Sequence, residues 1–231
     1  MSAATDQLKR DFCKCVERAA GHRRQQEAFA DMARAMAIAI ESPLVFGERK
    51  AHIEAEYEQI KSRYDADEFA HFPRALAIVA AALELAREDF LGHALEYLGA
   101  SNTHNGQFLT PVCVSRMMAK VICSKAPDDY KPGQIVKIND PACGSSVLLI
   151  EGAEELRKAG VRADDILVMA GDIDSRACDI SYVQLSLLGY AAIVQHADAL
   201  AMSRISRDRF TPGYFLHHMP MRGLAMKKEG K

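Results

Sequence analysis

Ile135-Val136-Lys137-Ile138-Asn139-Asp140-Pro141-Ala142-Cys143-Gly144-Ser145-Ser146 is the stretch that decides the fold. A β-branched apolar run ends in an acid, a proline and a turn of small residues, and a helical pattern follows from Val147 to Lys158. Strand, tight turn and helix in immediate succession form the unit that holds a nucleotide-like ligand at the carboxyl end of a parallel strand. The turn side chains are small, so backbone N–H groups can approach a ligand closely. Asp140 stands at the strand tip, placed to accept hydrogen bonds from a ligand amine or hydroxyl, and Ala142 and Gly144 lie in the turn. The turn holds one glycine and no Gly-Lys-Ser/Thr follows it, which excludes the G-x-G-x-x-G dinucleotide turn and the Walker phosphate loop.

Outward from this unit, strand and helix alternate. Ile166 to Ala170 reads as a second strand ending in Gly171-Asp172-Ile173-Asp174, Ser175 to Leu188 as a helix, and Ala191 to Gln195 as a third strand ending near His196-Ala197-Asp198. Short connections between alternating elements predict a parallel sheet with right-handed crossovers. A nucleotide-binding sheet places an acid at the tip of its second strand to take the ribose hydroxyls; Asp172 is that acid, and Asp174 is read as the cap of the following helix. Upstream, Thr110 is read as the cap of a helix with Pro111 at its first position, running to about Ser124.

Asp140-Pro141-Ala142-Cys143-Gly144-Ser145-Ser146 resembles the cofactor loop of the N6-adenine DNA methyltransferases, and within them the modification subunits of type I restriction systems, which read Asp-Pro-Ala-Cys-Gly-Ser-Gly. Gly106-Gln107-Phe108-Leu109-Thr110-Pro111 resembles the family's Gly-Gln-Phe-x-Thr-Pro element. The two strings stand in the family's order, and the likeness runs from roughly Asn102 to Asp198. It implies a Rossmann-like methyltransferase core, with S-adenosylmethionine (SAM) as cofactor and DNA as partner, reached directly or through a partner subunit. It implies cofactor contacts from Thr110 to the methionine end, from Asp140, Ala142 and Gly144 in the loop, from Asp172 to the ribose and from Asp198 to the adenine amino group. Ser146 stands where the family has glycine; at a positive φ a serine costs about 1 kcal/mol. Cys143 is matched by a cysteine that the family does not use chemically, and no histidine is placed to activate it.

The first hundred residues are helical. Leu8, Phe12, Cys15, Val16 and Ala19 recur at helical spacing, followed by Phe29, Met32, Ala33, Met36 and Ile40, with a possible interruption at Gly21-His22 and an end at Glu41-Ser42-Pro43. Further helices are expected over Glu48 to Tyr64, from Asp65 through Leu85 and over Phe90 to Leu98. The polar run Gly99 to Gly106 reads as a linker. The expected organisation is an all-α N-terminal domain over 1–100, an incomplete α/β methyltransferase-like core over 101–202, and a basic tail over 203–231. Cys13 and Cys15, two apart, diverge on a helix and are read as packing residues, and no metal is expected. A net charge of −2 gives no global attraction to nucleic acid. Six unevenly spaced cysteines and a polar N-terminus read as reduced thiols in a cytoplasm, and no apolar run approaches the ~20 residues of a membrane span.

The family handles its target adenine with Asn/Asp-Pro-Pro-Tyr/Phe after a fourth strand, once the base is flipped from the duplex. Here Pro212-Gly213-Tyr214 is the nearest string, no Asn or Asp precedes Pro212, and Met202 to Phe210 is too rich in Ser and Arg to read as a buried strand. The catalytic residues are therefore unassigned. Three readings remain: a SAM-binding family member that is degenerate or needs a protein partner or second copy; an active enzyme with a divergent segment around Thr211 to Tyr214; and an interaction module on a methyltransferase scaffold.

Overall fold

The computed structural model describes residues 3–99 and 110–218. The chain divides into two compact units between Leu109 and Thr110. In the first, helical periodicity yields α1 (Ala3–Ala20), α2 (Gln25–Glu41), α3 (Gly47–Lys61), α4 (Ala66–Phe69), α5 (His71–Leu85) and α6 (Phe90–Tyr97). The break between α1 and α2 follows Gly21, whose φ of +55° ends a right-handed helix. Phe12 is wholly buried and meets Phe29 and Phe90 edge to face, with ring centroids 5.9 and 5.8 Å apart, a favoured aromatic geometry. The helix expected from Asp65 through Leu85 is two helices. Asp65 and Glu68 close a capping box on α4, and α5 restarts at His71 with Pro73 in its first turn, where a missing N–H costs nothing.

The second unit has a small, mostly parallel sheet. Its helix α7 (Val112–Cys123) is followed by β1 (Val136–Asp140), α8 (Val147–Lys158), β2 (Ile166–Asp172), α9 (Ser175–Leu187) and β3 (Ala191–Asp198). β1 pairs with β2 and β2 with β3, both in parallel, as the alternation predicts. α8 packs on β1 and β2, and α9 on β2 and β3. Ile166, Val168 and Ala170 share a face in register with Ala192 and Val194, and all five are fully buried. Thr110 does not cap α7. The cap position is Pro111, which has no hydroxyl to offer, and no side chain caps this helix.

The expectation of a tail fails for residues 203–218, which are built into the second unit. β4 (Ser203–Arg204) and β5 (Arg209–Phe210) fold back as two-residue antiparallel strands on β3, and α10 (Pro212–His217) follows. Arg209 is buried, pairs with Asp179 of α9 at 2.6 Å, and stacks 4.2 Å over the Tyr182 ring. Arg222, Lys227 and Lys228 lie outside the described residues.

Candidate functional site

Asp140, Asp172 and Asp198 each end one of three adjacent parallel strands. Register places Asp140 level with Ala170, and Asp172 level with His196. The acids therefore form a staircase along the carboxyl edge of the sheet, each two residues further out than the last. Side chains alternate faces along a strand, so all three fall on the same face, in register with the buried set Ile166, Val168, Ala170, Ala192 and Val194.

Asp172 is the most committed of the three. It is 8% exposed. One carboxylate oxygen accepts the Gly144 N–H at 2.9 Å and the other accepts the Asp174 N–H at 2.9 Å. With the Cys143 N–H donated to the Gly171 carbonyl at 2.8 Å, these bonds lash the β1 turn to the tip of β2. Asp140 accepts the Ala142 N–H at 3.0 Å through one oxygen. Asp198 accepts the Leu200 and Ala201 N–H groups at 2.9 Å, again through one oxygen. In both, the second oxygen has no hydrogen-bond partner among the described residues. The arrangement thus holds one carboxylate inside the scaffold and offers two half-committed ones at the edge. Beside them, Ile173 is 61% exposed and lends an apolar surface directly after Asp172. As the sequence indicates, Asp174 caps α9, accepting the Arg176 N–H at 2.9 Å.

The turn is supported from behind by residues that sequence reading missed. Cys178, Ser181 and Gln184 recur every three residues along α9 and face backbone carbonyls. The Cys178 thiol reaches the Asp172 and Gln195 carbonyls at 3.5 Å. The Ser181 hydroxyl donates to the Gly144 carbonyl at 2.9 Å, and the Gln184 amide to the Ser145 carbonyl at 2.9 Å. Ser181 and Gln184 have no solvent exposure. The available signal was a polar stripe on a helix tied by alternation to a buried face.

Ser146 adopts φ +70°, ψ +22°, the left-handed conformation that a glycine would take without strain. Its side chain is wholly buried, and its hydroxyl donates to the Ser181 hydroxyl at 2.7 Å. Ser146, Ser181 and the Gly144 carbonyl therefore form a closed relay that accommodates the departure from glycine. No side chain caps α8 at this position, so its first-turn N–H groups open toward the same edge as the acids. Cys143 is 5% exposed, and burial pushes its thiol up to about 12. It is a packing residue, not a nucleophile.

Thr211 to Tyr214 lies at the other end of the sheet. The Thr211 hydroxyl donates to the Tyr190 carbonyl at 2.7 Å and accepts the Ala192 N–H at 2.9 Å. Ala192 is near the start of β3, so this segment sits about 20 Å of strand away from Asp198. Tyr214 is 7% exposed, stacked on the His218 ring and tilted against Phe210. This segment holds the base of the sheet and cannot receive a base at the acidic edge. Thr110 is exposed just ahead of α7, while Gly106 to Leu109 lies outside the described residues. Among the described residues no group of three or more His, Cys, Asp or Glu could hold a metal ion, and no helix is long and apolar enough to cross a membrane.

An edge of this kind can take a ligand that is cationic or rich in N–H and O–H donors, lying flat across strand tips. No curated protein matches the chain. The family model described as N-6 DNA Methylase matches residues 86–210, more than half of the 231 residues, and the chain belongs to that family.

Proposed function

We propose that the carboxyl edge of the sheet binds SAM on a Rossmann-like core, and that the chain serves adenine methylation of DNA in a restriction-modification setting as a subunit that needs a partner for the base. The observation that carries this reading is the staircase of three acids on one face, with the turn between β1 and α8 tied to the middle one. Family members generally use SAM. Its sulfonium and amino group are cationic, which suits an edge with two half-committed carboxylates.

In this reading Asp198 accepts from the adenine amino group through its second oxygen. Asp172 accepts from the ribose hydroxyls through the lone pairs that Gly144 and Asp174 leave over; a carboxylate has about four. Asp140, Ala142 and Gly144 border the methionine portion, and the α8 N-terminus suits its carboxylate. Thr110 is assigned the methionine end on the resemblance of its segment. When bound, SAM supplies the activated methyl group. The chain's residues hold the donor in place, and alignment is the main contribution a protein makes to such a transfer. No residue of the edge is assigned as a general base. The position of Thr211 to Tyr214 argues against transfer by this chain alone, because the nearest string to the base-handling motif is a structural part of the sheet's opposite end.

Two experiments test the reading. Hydrogen exchange with and without SAM should show protection at 140–146, 172–174 and 198–201; unchanged exchange there would overturn the assignment of the edge. Incubation of the chain with radiolabelled SAM and unmethylated DNA should give no methylated DNA; incorporation would return the divergent active enzyme.

A further inference from the structure

His196 stands inside the acidic edge. It is level with Asp172 across β2 and β3, and it precedes Asp198 by two residues. Alternation along a strand therefore sets it on the face of the acids, between these two. The residue is half-buried, and its Nε2 lies 3.1 Å from the Ile173 carbonyl. A carbonyl only accepts, so Nε2 carries a proton. Nδ1 has no hydrogen-bond partner among the described residues, so it can exist as a lone pair or as an N–H.

The bond from His196 spans the tips of two strands. Asp172 accepts the Asp174 N–H on one side of Ile173, and His196 holds the Ile173 carbonyl from β3. Together they fix the connection that presents the exposed Ile173 side chain and leads into α9. β3 is itself fastened at this point. It pairs with β2 on one side, and on the other the His196 carbonyl accepts the Ile205 and Ser206 N–H groups at 2.9 and 3.3 Å.

The charged groups on the surrounding elements leave a simple balance. On α9 and its cap, Asp174 is paired with Arg176, and Asp179 with Arg209. On the returning segment, Arg204 is paired with Asp208. The Cys178 thiol, bonded to the Asp172 and Gln195 carbonyls, is held protonated by burial. These groups compensate one another. Asp172 and Asp198 have no cationic partner among the described residues, and the ring stands between them. Imidazole is the side chain that ordinarily changes charge between pH 5 and 8.

We propose, on the reading of this edge as the SAM site, that His196 is a positioning residue whose charge sets the preference between the cationic methyl donor and its demethylated product. Neutral, it holds Ile173 through Nε2–H and leaves the charge of both acids to the ligand. Protonated, it holds Ile173 as before, because Nε2–H is common to both forms, and it offsets one of the carboxylates beside it. SAM and its product share an amino group and a carboxylate; SAM alone has the sulfonium. The cost of the imidazolium therefore falls on SAM and spares the product.

Calorimetry of the full chain with each ligand, at about pH 5.5 and about pH 7, reads this preference across the imidazole range. The preference for SAM should fall about fivefold at the lower pH. In His196→Gln, whose amide keeps a donor for the Ile173 carbonyl and takes no charge, it should be equal at both. By linkage, the ring's own titration, followed by NMR of the unaltered chain, should lie about 0.7 pH unit lower in the SAM complex than in the product complex, the same fivefold effect. Without ligand, His196→Ala should speed amide exchange at Asp174 about threefold to tenfold, and His196→Gln should change it little. A preference that does not move with pH, or that moves equally in His196→Gln, would overturn the proposal while leaving the SAM site standing. So would exchange at Asp174 that is indifferent to His196→Ala. No binding of either ligand at either pH would overturn the SAM reading, and the role of His196 with it.

Discussion

Ser146 should be worth almost nothing by itself and a good deal through Ser181. Replacing it with glycine removes a left-handed serine, a relief of about 1 kcal/mol. It also removes the 2.7 Å bond between the two hydroxyls, a loss of about 0.5–1.5 kcal/mol. The two nearly cancel, so Ser146→Gly should change stability by less than about 1 kcal/mol. Ser181→Ala is different. It takes the partner from a wholly buried Ser146 hydroxyl and the 2.9 Å donor from the Gly144 carbonyl, a cost of about 1–3 kcal/mol. With glycine at 146 the same change removes the bond to Gly144 and the 3.5 Å contact with the Cys143 thiol but strands no buried hydroxyl at 146, so the cost falls to about 1 kcal/mol. The double-mutant cycle should therefore show a coupling of about 1 kcal/mol. Amide exchange of β2 in rising urea is the suitable assay, because it reports on the second unit alone. Additive effects, or stabilisation by Ser146→Gly that is the same with and without Ser181, would refute the relay.

Arg209→Ala should cost about 3–5 kcal/mol by leaving Asp179 charged and buried without its guanidinium, whereas Arg204→Ala, in an exposed pair with Asp208, should change little; thermal unfolding compares them. Thr211→Val should destabilise by about 1–3 kcal/mol through the lost Tyr190 and Ala192 bonds, yet leave SAM affinity unchanged in calorimetry. Burial pushes the Cys13, Cys143 and Cys178 thiols up to about 12. These thiols keep their protons in the folded chain while the unfolded chain begins to lose them near 8.5, so their contribution is full below that value. It is lost as pH rises toward 12, and urea midpoints should fall over that window. In the folded chain at pH 8 a thiol reagent should modify exposed Cys113 well before Cys143.

What was legible in the sequence was local. The β-branched run before Asp140, the small-residue turn and the Asp174 cap are each encoded within a few residues, and the structure places β1 over Val136–Asp140. Of the α1 stripe, Phe12, Cys15, Val16 and Ala19 are buried and Leu8 is half-buried. What was not legible depends on distant partners. Arg209 looks solvated in a Ser- and Arg-rich segment, but its partner Asp179 is on another element and the pair buries both. β4 and β5 are two residues each and exist only because the β3 edge is there to pair with. Ser181 and Gln184 look like the outer face of a helix until the turn of β1 is brought against them. Thr110 preceded a proline in the pattern of a capped helix, yet the helix begins one position later.

The measurement that tests the central claim most directly is calorimetric titration of the full chain with SAM and with its demethylated product, repeated with Asp198→Ala. Asp198 keeps one oxygen without a hydrogen-bond partner among the described residues and ends its strand, so its loss spares the core. Saturable binding to the chain that weakens about tenfold in the variant is the expected result. An absence of binding up to millimolar SAM, or affinity indifferent to Asp198, would contradict the account and leave the acidic edge without a cofactor.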